Sequence, residues 1–286
     1  MEVMVDGVSL FVKPVGSEQN HPLILLHGGP GLDHTELHPY FDLLADWFWL
    51  LYLDQRGQGR SERVDPRTLT PSLFAKDVTG LATALDLKRY AVLGHSYGAI
   101  VALAHAIEQR GATHYVISHG AASGKKMMRD VQASLQTFEP VELRDQVIRS
   151  WESEPYVATP EECAEVIRMQ MPFHFARVDS EAYRAFMERP DETIYAPEVL
   201  AYTATQDYPL EYESRLKRVN RPTLILSGLL DRASTPRTAE DMHAGIQGSE
   251  LVILADAAHM SYLEQPDAYF SAVRNFFARH PLAPAS

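Results

Sequence analysis

The pentapeptide Gly-His-Ser-Tyr-Gly at residues 94–98 constrains the fold more than any other part of the chain. It follows a short apolar run, Tyr90–Leu93, and precedes a helix-like run, Ala99–Gln109. A sharp turn between a strand and a helix holds its central residue in a strained backbone conformation, and bulky side chains two residues to either side would collide with it. The pattern therefore predicts a strand, a tight turn that presents Ser96 at its tip, and a helix.

Apolar runs that alternate with helical periodicity predict an α/β fold with a mostly parallel, doubly wound sheet. The later runs are rich in Val, Ile and Leu without polar alternation, as expected for strands buried on both faces of a sheet. The predicted strands are Val8–Val12, Leu23–Leu26, Trp47–Leu53, Tyr90–Gly94, Tyr115–Ser118, Thr223–Ser227 and Leu251–Leu254. The helices predicted among them are Phe74–Leu87, Ile100–Ile107, Thr238–Ile246 and Tyr269–Phe277.

The alternation stops between residues 123 and 205, where helical periodicity prevails. A helical insertion between two buried strands should lie over the sheet, so we expect a core of residues 1–122 and 206–286 and a helical cap of residues 123–205. The cap holds 15 Asp and Glu against 9 Lys and Arg, which is half of the net charge of −12. The helices predicted in it are Met127–Leu135, Val141–Trp151, Pro160–Met171 and Ser180–Met187.

Composition excludes several classes of protein. The net charge of −12 is unfavourable for binding nucleic acid or an anionic membrane surface. No apolar stretch reaches the roughly 18 residues of a membrane-spanning helix, and the N-terminus lacks the basic and apolar regions of a signal peptide. The single cysteine, Cys163, excludes an intramolecular disulfide and suits a reducing compartment. A cytoplasmic protein is expected, and its oligomeric state is not readable from the sequence.

A serine nucleophile needs a base, and the chain offers a candidate acid and then a candidate histidine base after Ser96. His259 lies just beyond the last predicted strand, and Asp231 ends another apolar run as it enters a loop. Together with Ser96, these residues fall at the carboxyl ends of predicted strands, which meet at one edge of a parallel sheet. In this interpretation His259 takes the serine proton and later donates it to the leaving group, while Asp231 orients the imidazole.

Other residues compete for these roles. Asp256 and Asp207 are alternatives for the acid, but Asp256 is only three residues from His259 and is expected in the same loop. His95, inside the pentapeptide, is expected to pack and to form hydrogen bonds rather than to act as a base. We therefore favour Asp231.

The segment His-Gly-Gly-Pro-Gly at residues 27–31 follows a predicted buried strand. Glycines allow backbone N–H groups to turn toward a substrate oxygen without obstruction by side chains. We expect an oxyanion hole formed by the N–H groups of Gly29 and of Tyr97, the residue after the nucleophile. His27 is expected to orient this loop rather than to take part in chemistry.

No cofactor or metal site is predicted. The chain carries no His-Glu-x-x-His, no cysteine pair and no acidic Asp-x-Asp loop, and acyl transfer by serine needs no organic cofactor. Residues 54–61, Asp-Gln-Arg-Gly-Gln-Gly-Arg-Ser, contain a Gly-x-Gly but lack the third glycine and the adjoining helix of a dinucleotide loop. A turn braced by Arg56 is the predicted structure there.

These residues together resemble the α/β-hydrolase superfamily over nearly the whole chain, and the loops are similar to those of proline iminopeptidases. The likeness to that family rests on the strings at residues 27–31 and 54–61. Residues Ala258–Pro266 are similar to the histidine loop usual in the superfamily. The resemblance implies an α/β-hydrolase fold and a serine peptidase that removes an N-terminal residue, typically proline, from short peptides through an acyl-enzyme.

The resemblance also implies acidic cap residues that bind the free α-amino group of the substrate. A carboxylate in a water-poor pocket pairs strongly with an ammonium group. Ser150-Trp151-Glu152 is similar to the Trp-Glu pair of the family's cap, which makes Glu152 the candidate, with Glu154 as a neighbour that could serve instead.

Two departures from that family support an alternative function. Proline iminopeptidases usually carry Gly before the nucleophile and Trp after it, where this chain has His95 and Tyr97. Gly-His-Ser-Tyr-Gly is closer to esterases, lactonases and carbon–carbon bond hydrolases. The alternative is therefore an enzyme of that kind acting on a small acyl compound, consistent with apolar cap residues such as Met171.

Overall fold

An eight-stranded sheet runs through the computed structural model, which describes residues 1–206 and 210–282. Its order is β1-β2-β4-β3-β5-β6-β7-β8, antiparallel at β1–β2 and β2–β4 and parallel elsewhere. The strands are β1 Glu2–Val5, β2 Val8–Val15, β3 His21–Leu26, β4 Phe48–Leu53, β5 Tyr90–His95, β6 Ala112–Ser118, β7 Thr223–Gly228 and β8 Glu250–Leu254. The prediction of a mostly parallel α/β sheet is confirmed.

Helices cover both faces of this sheet. The α-helices are α1 Pro71–Ala84, α2 Tyr97–Glu108, α3 Gly124–Thr137, α4 Val141–Ser153, α5 Pro160–His174, α6 Glu181–Glu188, α7 Pro197–Ala204, α8 Pro236–Gly245, α9 Ser261–Glu264 and α10 Pro266–Arg279. Short 3-10 helices span His34–Glu36, Tyr40–Leu44, Pro66–Thr68, Glu154–Tyr156 and Glu213–Arg218. Among residues 1–206 and 210–282, no helix combines the length and the apolar character that crossing a bilayer requires.

Strand β3 shows why the central strands carry no polar alternation. Ile24 and Leu26 belong to the core on the face covered by α1 and α2, whereas Leu23 and Leu25 belong to the core beneath α10. All four side chains are almost completely buried. Each residue of such a strand faces a core, so an uninterrupted apolar run is the expected sequence.

Among the described residues, two α-helices and one strand were not predicted: α7, the four-residue helix α9 and β1. Strand β1, Glu2–Val5, is a short edge strand whose side chains alternate between exposed and buried. Helix α7, Pro197–Ala204, spans only two turns and follows an irregular stretch. Short elements carry little periodicity, and their formation depends on the neighbours against which they pack.

Helices α3 to α7 lie between β6 and β7 and are joined to the core by polar contacts. The Glu264 carboxylate accepts the N–H of Ala176, after α5, at 2.6 Å and that of Ala258, after β8, at 2.7 Å. Arg232, after β7, donates to the carbonyl of Phe175 at 2.8 Å. We propose to retain the division into a core of residues 1–122 and 206–286 and a cap of residues 123–205.

The turn between β5 and α2 has the strained geometry that the pentapeptide predicts. Ser96 adopts φ +54° and ψ −118°, a region that residues with side chains rarely occupy. A Cβ atom at Gly94 would overlap the carbonyl oxygen of Gly98, and one at Gly98 would overlap that of Leu26. Only glycine fits at these two positions, because the obstructing atoms are backbone.

Replacing Gly94 with alanine should therefore destabilise the protein by about 3 kcal/mol or more, since a backbone atom must move to admit the methyl group. Urea unfolding measures the loss. The control is Gly248→Ala, where the backbone has a positive φ of +76° but no atom lies within 4 Å of the added Cβ. That variant should lose only about 1 kcal/mol. Equal losses in the two variants would contradict the steric argument.

Candidate active site

Two loops at the carboxyl edge of the sheet bring Asp231 and His259 together. Asp231 follows β7 and His259 follows β8, and Nδ1 of His259 lies 2.9 Å from Oδ2 of Asp231. Because an ionised carboxylate only accepts hydrogen bonds, the proton lies on Nδ1 and Nε2 remains an acceptor. The other carboxylate oxygen accepts the N–H groups of Ala233 and Ser234 at 2.8 and 3.0 Å.

Burial and hydrogen bonding shift the pKa values of this pair in opposite directions. Burial alone would raise the pKa of Asp231, but electrostatic attraction to His259 and the hydrogen bonds from His119 and His259 hold that pKa well below its usual range. Burial alone would lower the pKa of His259, yet its contact with Asp231 raises that pKa above the ordinary value. Asp231 is therefore an ionised carboxylate, and His259 is a stronger base than an ordinary histidine.

A second histidine binds the same carboxylate oxygen. Nδ1 of His119, the residue after β6, lies 2.7 Å from Oδ2 of Asp231, and its Nε2 lies 2.7 Å from the hydroxyl of Ser261. All of these side chains are buried. The sequence analysis missed His119, although its position directly after a strand was a signal shared with Asp231 and His259.

Ser96 and His259 line one cavity of about 930 Å³. The cavity lies between the strand ends and the inserted helices, with walls from the loop after β3 and from α3, α5 and α7. No hydrogen bond joins the Ser96 hydroxyl to His259 among the hydrogen bonds of the described residues. Catalytic contacts of this kind often shorten only when substrate is bound.

Of the two predicted oxyanion donors, Gly29 lines the same cavity as Ser96 and Tyr97 follows Ser96 in the chain. Gly29 lines the cavity and has φ +112°, a conformation in which glycine is favoured. Tyr97 is the first residue of α2, where backbone N–H groups point out of the helix end. The geometry is compatible with the predicted pairing of these two N–H groups.

The glycine loop at residues 27–31 is held by the loop at residues 54–61. The backbone N–H of Gln55 donates to Nε2 of His27 at 3.1 Å, so the His27 proton lies on Nδ1, which donates to the Gly28 carbonyl at 2.8 Å. Gln58 accepts the N–H of Gly31 at 2.6 Å. His27 thus orients the loop, as expected from the sequence.

Arg56 braces the second of these loops, as predicted. Its guanidinium forms two hydrogen bonds to the Asp77 carboxylate on α1, at 2.8 and 2.5 Å, and both side chains are buried. A bidentate pair of this kind fixes both position and orientation.

Among the residues that the structure describes, two with carboxyl groups line the cavity, Glu36 and Glu154, and Glu152 does not. Glu36 accepts a hydrogen bond from the N–H of Gly28, and Glu154 accepts one from Gln170 at 2.6 Å. Burial raises the pKa of each to about 7. Glu152 is exposed and lines a separate surface pocket beside Arg144. Glu36 could not be predicted from its sequence context, because its approach to the cavity depends on how the loop after β3 folds.

Of the two alternatives for the acid, the structure describes Asp256. Asp256 is exposed, and Nδ1 of His259 donates its hydrogen bond to Asp231 instead. Asp207 lies outside the described residues.

The chain is similar to known proteins over most of its length. The model of the "Alpha/beta hydrolase family" matches residues 23–272. Curated relatives include a proline iminopeptidase of Saccharolobus solfataricus, 28% identical over 94% of this chain and 89% of its own length. Another, from Lactobacillus crispatus, is 26% identical over 96% of both chains.

Solved structures show the same fold. A proline iminopeptidase of Mycobacterium smegmatis has a TM-score of 0.76 at 23% identity, with 98% of both chains covered. An esterase of Exiguobacterium antarcticum has a TM-score of 0.73 at 17% identity, covering 96% of this chain and 98% of its own. The family model matches most of the sequence, and the mostly parallel sheet with helices on both faces agrees with it. The chain therefore belongs to the alpha/beta hydrolase family and is a hydrolase.

Proposed function

We propose that this hydrolase uses Ser96, His259 and Asp231 as a catalytic triad and releases the N-terminal residue, proline among the candidates, from short peptides. The observation that carries the triad is the buried Asp231–His259 hydrogen bond beside the cavity that Ser96 lines. The choice of substrate rests on the relatives named proline iminopeptidase and on the two carboxyl groups in the cavity.

In the proposed mechanism the Ser96 oxygen attacks the carbonyl carbon of the first peptide bond while its proton passes to Nε2 of His259. The N–H groups of Gly29 and Tyr97 stabilise the negative oxygen of the tetrahedral intermediate. Collapse of the intermediate breaks the C–N bond, and His259 returns the proton to the departing amine. Water then attacks the acyl-enzyme with His259 as base, which frees the amino acid and restores the Ser96 hydroxyl.

Glu154 is the proposed binder of the substrate's α-ammonium group. It lies in the same cavity as Ser96, and the Gln170 amide fixes one of its oxygens while leaving the other for a ligand. Glu36 lies near the reacting serine, since a Cβ added to Gly28 would lie within 3.1 Å of atoms of both Glu36 and Ser96. An ammonium held between carboxyl groups near the serine places the first peptide bond there and excludes substrates with blocked amines.

The second candidate is an esterase, lactonase or carbon–carbon bond hydrolase for a small acyl compound. The apolar walls of the cavity favour it, because they offer burial to an uncharged acyl group. These walls include Met127, Met171, Met260, Leu200 and Phe186. The two candidates differ in whether turnover requires a free amine.

The triad is tested by replacing its members. Asp231→Asn should lower kcat/KM for proline 4-nitroanilide on the order of 10⁴-fold, because the amide no longer holds His259 in the required tautomer. Ser96→Ala should abolish both turnover and labelling by a fluorophosphonate probe. Asp256→Asn is the matched control and should retain activity. Full activity in Asp231→Asn would remove Asp231 from the triad.

The ammonium site is tested with Glu154→Gln, which keeps the shape of the side chain and removes its charge. KM for proline 4-nitroanilide should rise about 30-fold or more, because a desolvated charge pair is lost. The control is Glu152→Gln, which should change KM little. If both variants bind the substrate like the wild type, or if an N-acylated substrate is hydrolysed as fast as the free amine, the esterase alternative is favoured.

The pH dependence of KM provides an independent test. Since burial raises the pKa of Glu154 to about 7, the carboxyl is neutral at lower pH and its attraction for an ammonium group is lost there. KM for a free-amine substrate should therefore rise by up to about tenfold for each pH unit below 7. Steady-state kinetics between pH 5 and 8 measure it, and the rise should be smaller in Glu154→Gln. A KM independent of pH would contradict the assignment.

A further inference from the structure

We propose that His119 is a positioning residue. Its Nδ1–H donates to the same carboxylate oxygen of Asp231 that accepts from His259. This hydrogen bond fixes the Asp231 side chain and weakens the attraction of Asp231 for the His259 proton. The inference rests on the proposed function, because it concerns the basicity of the residue that would activate Ser96.

The hydrogen bonds determine where the protons lie. Both Nδ1 atoms approach Oδ2 of Asp231, His119 at 2.7 Å and His259 at 2.9 Å. A carboxylate only accepts, so both histidines donate through Nδ1. Nε2 of a neutral His119 then accepts from the Ser261 hydroxyl at 2.7 Å. Ser261 thereby holds His119 in the tautomer that donates to Asp231.

The backbone holds the His119 side chain at this position. Strand β6 ends at Ser118, and the N–H of His119 still donates to the carbonyl of Leu226 on β7 at 2.9 Å. His119 then adopts φ +57°, an uncommon conformation for a residue with a side chain. This turn brings its imidazole to the loop that carries Asp231, and an outlier of this kind at a buried polar cluster suggests a functional constraint.

Sharing one oxygen has an electrostatic consequence. Burial lowers the pKa of His119 below its ordinary value, so the ring acts as a neutral donor and not as a second cation. Its N–H dipole offsets part of the negative charge that Asp231 directs at His259. A carboxylate with this extra donor stabilises the protonated His259 less, which leaves the base free to take a proton from Ser96 at a lower pH.

Several other titratable groups face the His259 imidazole and would remain unchanged in the test. The rings of His95 and His174 lie 5.1 Å from it, centroid to centroid. The carboxyl groups of Glu36 and Glu264 also act on its pKa. A shift that follows only the side chain at position 119 is therefore attributable to the donor there.

The experiment compares His119→Leu, which removes the donor, with His119→Asn, whose amide supplies an N–H near the position of Nδ1 and tolerates a positive φ. The readout is the rate of fluorophosphonate labelling of Ser96 between pH 5 and 9. His119→Leu should label about tenfold more slowly at pH 7. In this variant the acid limb of the curve of labelling rate against pH should move to higher pH by roughly half a unit or more, because His259 holds its proton more tightly. His119→Asn should restore most of the rate and the original limb.

Two controls separate this effect from loss of structure. His105→Leu removes another fully buried histidine, one that bonds Tyr115 at 2.8 Å far from the cavity residues, and should lower stability without moving the acid limb. Circular dichroism at each pH shows the folded fraction. Identical rates and limbs in His119→Leu and His119→Asn would overturn the proposal.

A direct titration distinguishes failure of this inference from failure of the triad. The pKa of the His259 imidazole is measured by NMR with ¹³C-labelled histidine, assigned with His259→Ala. It should be higher in His119→Leu than in the wild type and His119→Asn, whether or not Ser96 reacts. If the wild type is not labelled at Ser96, the triad fails; if the His259 pKa is the same in all three proteins, the role of His119 fails.

Discussion

The carboxylate of Asp231 is the group on which the arrangement of the site depends. Its oxygens accept four N–H groups: those of Ala233 and Ser234 in its own loop, that of His119 after β6 and that of His259 after β8. A buried carboxyl group without such donors would take up a proton and would no longer orient an imidazole. The loops therefore keep Asp231 ionised, and the charge of Asp231 in turn holds the loops together.

The strained turn at Ser96 is the second feature on which the arrangement of the site depends, and the surrounding backbone maintains this turn. The N–H of Ser96 donates to the carbonyl of Ser118 at 2.9 Å, which extends the pairing of β5 with β6 into the turn. Gly94 and Gly98 leave room for backbone where any side chain would collide. The loop that carries Gly29 is likewise held by hydrogen bonds from another loop, residues 54–61. Donors held by such contacts need little reorganisation when negative charge develops on a substrate.

Local patterns were sufficient for the sheet, and they predicted that Ser96, Asp231 and His259 follow the ends of strands, where the structure has them. The side chains that complete the site could not be predicted in this way. Glu154 and Glu152 are two residues apart in one acidic stretch, and only the end of α4 decides which of them enters the cavity. His119 follows a predicted strand, but its bond to Asp231 depends on three loops meeting.

The chemistry of the cavity bears on which substrates can use it. A buried carboxyl group with a pKa near 7 avoids a large part of the free-energy cost of burying a charge before any ligand arrives, because it can bind a proton instead of remaining charged. An incoming ammonium group displaces that proton and gains a desolvated partner, whereas a neutral ester leaves the carboxyl group protonated and gains only apolar contact. With Glu36 and Glu154 both in the cavity, the proposed selectivity for a free amine would follow from electrostatics, while the apolar walls offer contact to uncharged groups. Peptide and ester hydrolysis would then share Ser96 and differ in whether the carboxyl groups take part.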